Sequence, residues 1–205
     1  MFDRLTDNAK SVLNKARQQS QRLNHEYLGT EHMLLGLLEV DGCHARVILE
    51  SLRITPERVR SEIDKLIRPG PGLVTMGQLP FTPGARRVLE YSMEEAGSLG
   101  STVLGTEHLL LGLAREIEGI ASMALSACAM SLEKVRALAG EQLAPEDPAG
   151  RPGRILTGSR DHRSEAWRLR VLEEAVEALT EIQERQLAVE LREVARKHGS
   201  RKWDR

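Results

Sequence analysis

A ten-residue segment occurs twice in this chain, 76 positions apart. Residues 28–37 read LGTEHMLLGL, residues 104–113 read LGTEHLLLGL, and the copies differ only at Met33 and Leu109. The same offset relates other residues of equal type, among them Thr6 and Thr82, Val12 and Val88, and Val59 and Val135. A fixed-period repeat indicates that one structural unit is built twice. The chain is therefore predicted to be a tandem duplication.

Each repeat predicts four helices. Helical spacing of apolar residues in the first repeat indicates helices over about residues 7–23, from Thr30 to the Asp41–Gly42 turn, over about 44–52, and after Thr55–Pro56. Thr6, Thr30 and Thr55 are the predicted N-caps, and Thr82, Thr106 and Ser131 are those of the second repeat. No segment shows sustained alternation. We therefore expect an all-α fold of two tandem four-helix repeats with pseudo-two-fold symmetry.

The repeats do not fill the chain. The predicted organisation is a double-repeat domain over 1–143 (repeat 1 about 1–67, a Pro- and Gly-rich connector 68–80, repeat 2 about 81–143), a flexible linker 144–162, a long amphipathic helix 163–198 and a basic tail 199–205. The apolar stripe of that last helix calls for a partner. It could self-associate, dock on the repeats or bind another protein.

Composition argues against several functional classes. The net charge of −1 argues against a nucleic-acid scaffold, and an aromatic content of 3% leaves few stacking platforms for single strands. No apolar run approaches the roughly 20 residues of a membrane-spanning helix, and no secretory signal is visible, so we expect a cytoplasmic protein. Cys43 and Cys128 are expected to be buried, inert thiols rather than a disulfide or a reactive site.

Motifs for catalysis are missing from the sequence. It contains no phosphate-binding loop, no nucleophile elbow and no cysteine cluster with zinc spacing, so we predict no enzyme activity, no cofactor and no metal. His32 and His108 each follow a glutamate, and adjacent helical residues are expected to point to different sides. We interpret both histidines as structural, packing in the core or holding the preceding loop by a hydrogen bond, with ligand contact as the alternative.

The helix starts supply the candidate ligand-binding residues. Thr6 and Thr82 precede first-turn N–H groups that lack intrahelical partners and can bind an anion by donating hydrogen bonds to it. Glu31 and Glu107 open the neighbouring helix of the same repeat and offer a carboxylate to a cation. If these starts converge within each repeat, each would suit a group with a phosphate and a cation. Ordinary capping and compensation of the helix dipole are the alternative explanation.

Four segments resemble a known family. Residues 2–6 (FDRLT), both GTEH segments and residues 81–90 (FTPGARRVLE) resemble the N-terminal domain of the Clp family of AAA+ unfoldases, of the ClpC type. The similarity covers about residues 1–142. It implies the same all-helical double repeat. This chain contains neither of the two nucleotide-binding modules of a full unfoldase, so we expect it not to hydrolyse ATP.

The resemblance implies a docking module for a Clp-type AAA+ unfoldase that receives adaptor proteins or substrate proteins. In ClpC-like members it also implies recognition of phosphorylated arginine, with the threonine on the phosphate side and the glutamate on the guanidinium. The matching positions are Thr6 with Glu31, and Thr82 with Glu107. The alternative function is a self-assembling scaffold, a homo-oligomer formed through residues 163–198 with a generic peptide-binding head.

Overall fold

The structure is a computed structural model that describes residues 5–70 and 79–143, together with the single residue 176. These residues form eight helices: α1 Asp7–Arg22, α2 Thr30–Leu38, α3 His44–Ser51, α4 Pro56–Leu66, α5 Pro83–Ser98, α6 Thr106–Arg115, α7 Ile120–Ala127 and α8 Leu132–Leu143. The described residues contain no extended strand, only two isolated β-bridges. The prediction of an all-α double repeat is confirmed.

Several predictions concern residues that the structure does not describe. The linker 144–162 and the basic tail 199–205 lie outside the described residues, as does the helix 163–198 apart from the exposed, helical Val176. Of the connector, residues 71–78 lie outside as well. Among the helices that are described, none combines the length and the apolar character needed to cross a membrane.

The first two helices of each repeat pack closely through a glycine. In α2, Gly36 lies against the backbone of Val12 and Ala16 on α1, and in α6, Gly112 lies against Val88 and Ser92 on α5. A side chain at either glycine would hold the helices apart. The duplicated motif therefore places the same small residue at the same helix crossing in both repeats.

The third helix of each repeat packs against the other repeat. Helix α3 contacts α6 and α8, whereas α7 contacts α2 and α4. The buried apolar side chains of all eight helices consequently form one continuous cluster, including Leu13, Met33, Leu89 and Leu113. Both cysteines are buried free thiols, as expected. The two repeats share a core rather than forming two separate ones.

Candidate functional site

The start of α1 lies beside the start of α6, which belongs to the other repeat. The Thr6 N–H donates to the Leu104 carbonyl at 3.1 Å. The symmetric contact joins α5 to α2, because the Thr82 N–H donates to the Leu28 carbonyl at 3.0 Å. The expected pairing within each repeat is therefore wrong: Thr6 is brought together with the helix that carries Glu107, and Thr82 with the helix that carries Glu31.

A third helix start joins each pair. The Thr106 hydroxyl accepts the Ala45 N–H at the start of α3 at 3.2 Å, and the Thr30 hydroxyl accepts the Ala121 N–H at the start of α7 at 3.4 Å. We call the starts of α1, α3 and α6, with Thr6, His44 and Glu107, the Glu107 cluster. The starts of α2, α5 and α7, with Glu31, Thr82 and Ile120, form the Glu31 cluster.

The capping threonines behave only partly as predicted. Thr6 and Thr82 cap α1 and α5, since their hydroxyls accept the N–H groups of Ala9 and Ala85 at 3.2 and 3.1 Å. The prediction for Thr30 and Thr106 is wrong, because each is the first residue of its helix and follows a glycine N-cap. Their hydroxyls instead cap a helix of the opposite repeat, so they tie the two repeats together.

The two glutamates bend back over the glycines that precede their helices. Glu31 is 4% exposed and Glu107 is 3% exposed. A Cβ on Gly29 or Gly105 would collide with the carboxylate of the glutamate two residues later. Glycine at the N-cap therefore leaves the space in which each carboxylate lies.

The two motif histidines hold the preceding loop. The Nδ1 atoms of His32 and His108 accept the N–H of Gly29 and Gly105, in both cases at 2.9 Å, and both rings are fully buried. Burial, with a further contribution from His25, lowers the pKa of His32 to about 3, and burial also lowers that of His108. Both rings are therefore neutral at physiological pH. The hydrogen bond to the preceding loop, one of the two predicted structural roles, is confirmed.

The expectation that Glu and His point to different sides is wrong. The Nδ1 atom of His32 lies 3.5 Å from Oε1 of Glu31, and the corresponding distance between His108 and Glu107 is 3.2 Å. Both side chains come from the first turn and fold back towards the glycine N-cap. Simple helical periodicity does not describe side chains at a helix end.

A hydrogen-bonded chain links the Glu31 cluster to the connector. The Nε2 atom of His32 lies 2.8 Å from Nδ1 of His25, and Nε2 of His25 lies 2.8 Å from the Arg68 carbonyl. Because Nδ1 of His32 accepts the Gly29 N–H, its Nε2 carries the proton and donates to His25. In the second repeat Ser101 replaces His25, and Nε2 of His108 has no hydrogen-bond partner among the described residues.

His25, Glu31 and His32 could supply metal ligands, because one ligand atom of each lies within 4.8 Å of the others. Both ring nitrogens of His32 are already hydrogen-bonded, however, and a metal ion would have to replace the bond between His32 and His25. Sequence patterns do not reveal this group, because His25 belongs to the loop before α2 and shares no helical spacing with the motif.

The electrostatic surroundings of Glu31 contain little positive charge. Among residues 5–70 and 79–143, no lysine or arginine forms an ion pair with Glu31, and its neighbour His32 is neutral. Burial raises the pKa of Glu31 above its ordinary value, although hydrogen bonds from its own N–H and from Thr30, and the proximity of His25, partly oppose this. Burial and the charge of Glu31 also raise the pKa of Tyr27. Glu107, by contrast, has the His44 ring at 3.2 Å.

Comparison with known proteins identifies the family to which this chain belongs. The family model described as the Clp repeat (R) N-terminal domain matches residues 4–128. The chain belongs to this family. Among its relatives, the ATP-dependent Clp protease ATP-binding subunit ClpC of Staphylococcus saprophyticus is 47% identical over 138 residues, which is 67% of this chain and 16% of that protein. The ClpA homolog of Guillardia theta is 46% identical over 136 residues, 66% of this chain and 16% of that protein.

Solved structures of Clp N-terminal domains share the fold. The N-terminal domain of the chaperone ClpD from Arabidopsis thaliana superimposes with a TM-score of 0.55 at 20% identity, covering 68% of this chain and 94% of that one. The N-terminal domain of Hsp104 from Candida albicans gives a TM-score of 0.58 at 15% identity, covering 77% and 100%. The chain spans about one sixth of the length of the ClpC and ClpA relatives and matches their N-terminal region.

Proposed function

We propose that this chain is a non-catalytic protein-binding module of Clp-dependent protein quality control. It docks adaptor proteins, substrate proteins or the unfoldase itself, in the cytoplasm. Support comes from family membership and from the relatives, which are named as ATP-binding subunits of ATP-dependent Clp proteases and match this chain through their N-terminal region. The described residues supply helix starts and carboxylates rather than a nucleophile with a base.

The ligand that we propose is phosphoarginine on a substrate protein. One observation carries this proposal: Glu31 is a buried carboxylate with no lysine or arginine partner among the described residues, and it lies beside the start of α5. A buried carboxylate is costly unless a cation pairs with it. A guanidinium would pair with the Glu31 carboxylate, while first-turn N–H groups after Thr82 would donate hydrogen bonds to the phosphate.

Each proposed site draws on both repeats. Thr82 supplies the phosphate end and Glu31 the cation end of one site, and Thr6 and Glu107 do so in the other. Free arginine lacks the phosphate and inorganic phosphate lacks the cation, so each ligand should bind more weakly than phosphoarginine. This comparison separates recognition of the whole group from simple charge attraction.

Isothermal titration calorimetry of phosphoarginine into the full chain tests the proposal. The comparison is between the wild type and the double variant Glu31→Gln with Glu107→Gln, which keeps the shape of both side chains and removes their charge. We expect binding by the wild type and none by the double variant, with equal helical circular dichroism. Absence of heat with a folded wild type would reject phosphoarginine as the ligand, and binding that survives in the double variant would reject the two carboxylates as its receptors.

A further inference from the structure

One difference between the two clusters lies at a pair of equivalent positions in the two repeats. The offset of 76 carries His44 onto Ile120, and these are the first residues of α3 and α7. The Nδ1 atom of His44 lies 3.2 Å from Oε2 of Glu107. Ile120 has no polar side-chain atom to offer Glu31. The duplication has therefore placed an imidazole that donates a hydrogen bond at one carboxylate and an aliphatic side chain at the other.

We propose that His44 is an internal ligand of Glu107, so that only the Glu31 cluster receives a guanidinium from another molecule. This inference rests on the proposed function and assigns its ligand to one of the two sites. His44 acts as a specificity-determining residue: it closes the Glu107 cluster to external cations.

The hydrogen bond from His44 occupies one of the two carboxylate oxygens of Glu107 that a guanidinium would bind. A guanidinium binds a carboxylate best when it donates to both oxygens at once. His44 donates to one oxygen of Glu107, and when protonated it also balances the charge. An arriving cation must first displace the imidazole. At Glu31, the neighbouring His32 ring is neutral and its Nδ1 is an acceptor already bonded to Gly29.

An aromatic ring adds to the difference on the cation side. Tyr27 is 40% exposed, stacks on His25 with ring centroids 5.1 Å apart, and lies within electrostatic reach of Glu31. A guanidinium is attracted to an aromatic face of this kind. The position that corresponds to Tyr27 in the second repeat is Val103, which has no ring.

The phosphate side differs in the same direction. The first turn of α1 contains Asp7, whereas the first turn of α5 contains no acidic residue and has Pro83 at the corresponding position. A carboxylate in the first turn repels a phosphate that approaches the same N–H groups. The charge in the first turn and the aromatic ring therefore both favour the Glu31 cluster over the Glu107 cluster for a phosphoarginine group.

The repeat itself supplies the test variants. His44→Ile gives the Glu107 cluster the residue of its counterpart, and Ile120→His gives the Glu31 cluster the histidine. The His44 side chain is 55% exposed and Ile120 is partly exposed, so both changes are compatible with the fold. Phosphoarginine is titrated into the full chain of each variant by calorimetry, and Glu31→Gln and Glu107→Gln are titrated separately.

We expect the wild type to bind one phosphoarginine, Glu31→Gln to abolish this binding, and Glu107→Gln to leave it unchanged. His44→Ile should add a second site by raising affinity at Glu107 about tenfold or more, and Ile120→His should weaken the Glu31 site about tenfold. Two equal sites in the wild type, unaffected by His44→Ile, would overturn this inference and leave the proposed function standing. Absence of binding in the wild type and all four variants would overturn the proposed function itself.

Discussion

The close approach of α1 and α2 at Gly36 gives a stability prediction whose sign can be worked from the structure. A Cβ at this position would lie 2.5 Å from both the Val12 carbonyl oxygen and the Ala16 backbone nitrogen, whereas ordinary contacts begin at about 3.4 Å. Gly36→Ala must therefore separate the two helices by about 1 Å. Both obstructing atoms belong to the backbone and cannot rotate away.

The expected magnitude is the difference between two effects. Overpacking costs about 1–3 kcal/mol, and a clash with backbone belongs at the upper end of that range. The higher helix propensity of alanine compared with glycine raises the free energy of unfolding by about 1 kcal/mol. Gly36→Ala should therefore lower the free energy of unfolding by about 2 kcal/mol.

Gly140 is the matched control. It also lies inside a helix, but a Cβ there would meet only Leu99 Cδ2 at 3.7 Å, which is an ordinary contact. Gly140→Ala should raise the free energy of unfolding by about 0.5–1 kcal/mol. Urea unfolding of the full chain, followed by circular dichroism, measures both variants. If Gly36→Ala stabilised the protein as Gly140→Ala does, helix propensity rather than close packing would govern this crossing, and the reasoning would be refuted.

Two further predictions concern the motif residues. Because burial holds the pKa of His32 at about 3 instead of 6.5, the unfolded chain takes up a proton that the folded one refuses, so stability present above pH 6.5 is lost as pH falls towards 3. The control is His32→Gln, whose amide can still accept the Gly29 N–H. Between pH 7 and pH 5, the free energy of unfolding measured in urea should fall by about 2 kcal/mol more in the wild type than in this variant. An equal fall in both proteins would contradict a neutral buried ring. Thr106→Val should lower the free energy of unfolding by about 1 kcal/mol and speed hydrogen exchange of the Ala45 amide in the opposite repeat. Unchanged exchange at Ala45 would contradict the capping role of Thr106.

The helices could be predicted from the sequence because the signals for them are local. Thr55 followed by Pro56, and Thr82 followed by Pro83, begin helices where capping rules place them. The same rules failed at Thr30 and Thr106. Their hydroxyls accept N–H groups that lie 91 and 61 residues away, and no local pattern contains that information.

The site could be predicted only as a set of residue types. The duplication requires that Glu31 and Glu107 have similar surroundings, but it does not say whether those surroundings come from the same repeat or from the other. For the same reason, the sequence does not predict that His25 and His44 are neighbours of the glutamates. Each approaches from a segment whose position depends on how the whole chain packs, not on its own periodicity.

The crossed arrangement of the two clusters has a consequence for how such a chain can change over time. Because each cluster takes helix starts from both repeats, a lone ancestral repeat could have completed one only by pairing with a second copy of itself, and both clusters would then have been identical. Joining two copies in one chain removed that constraint. A side chain such as His44 affects one cluster and leaves the other unchanged, so the two surfaces of one chain can differ in what they bind.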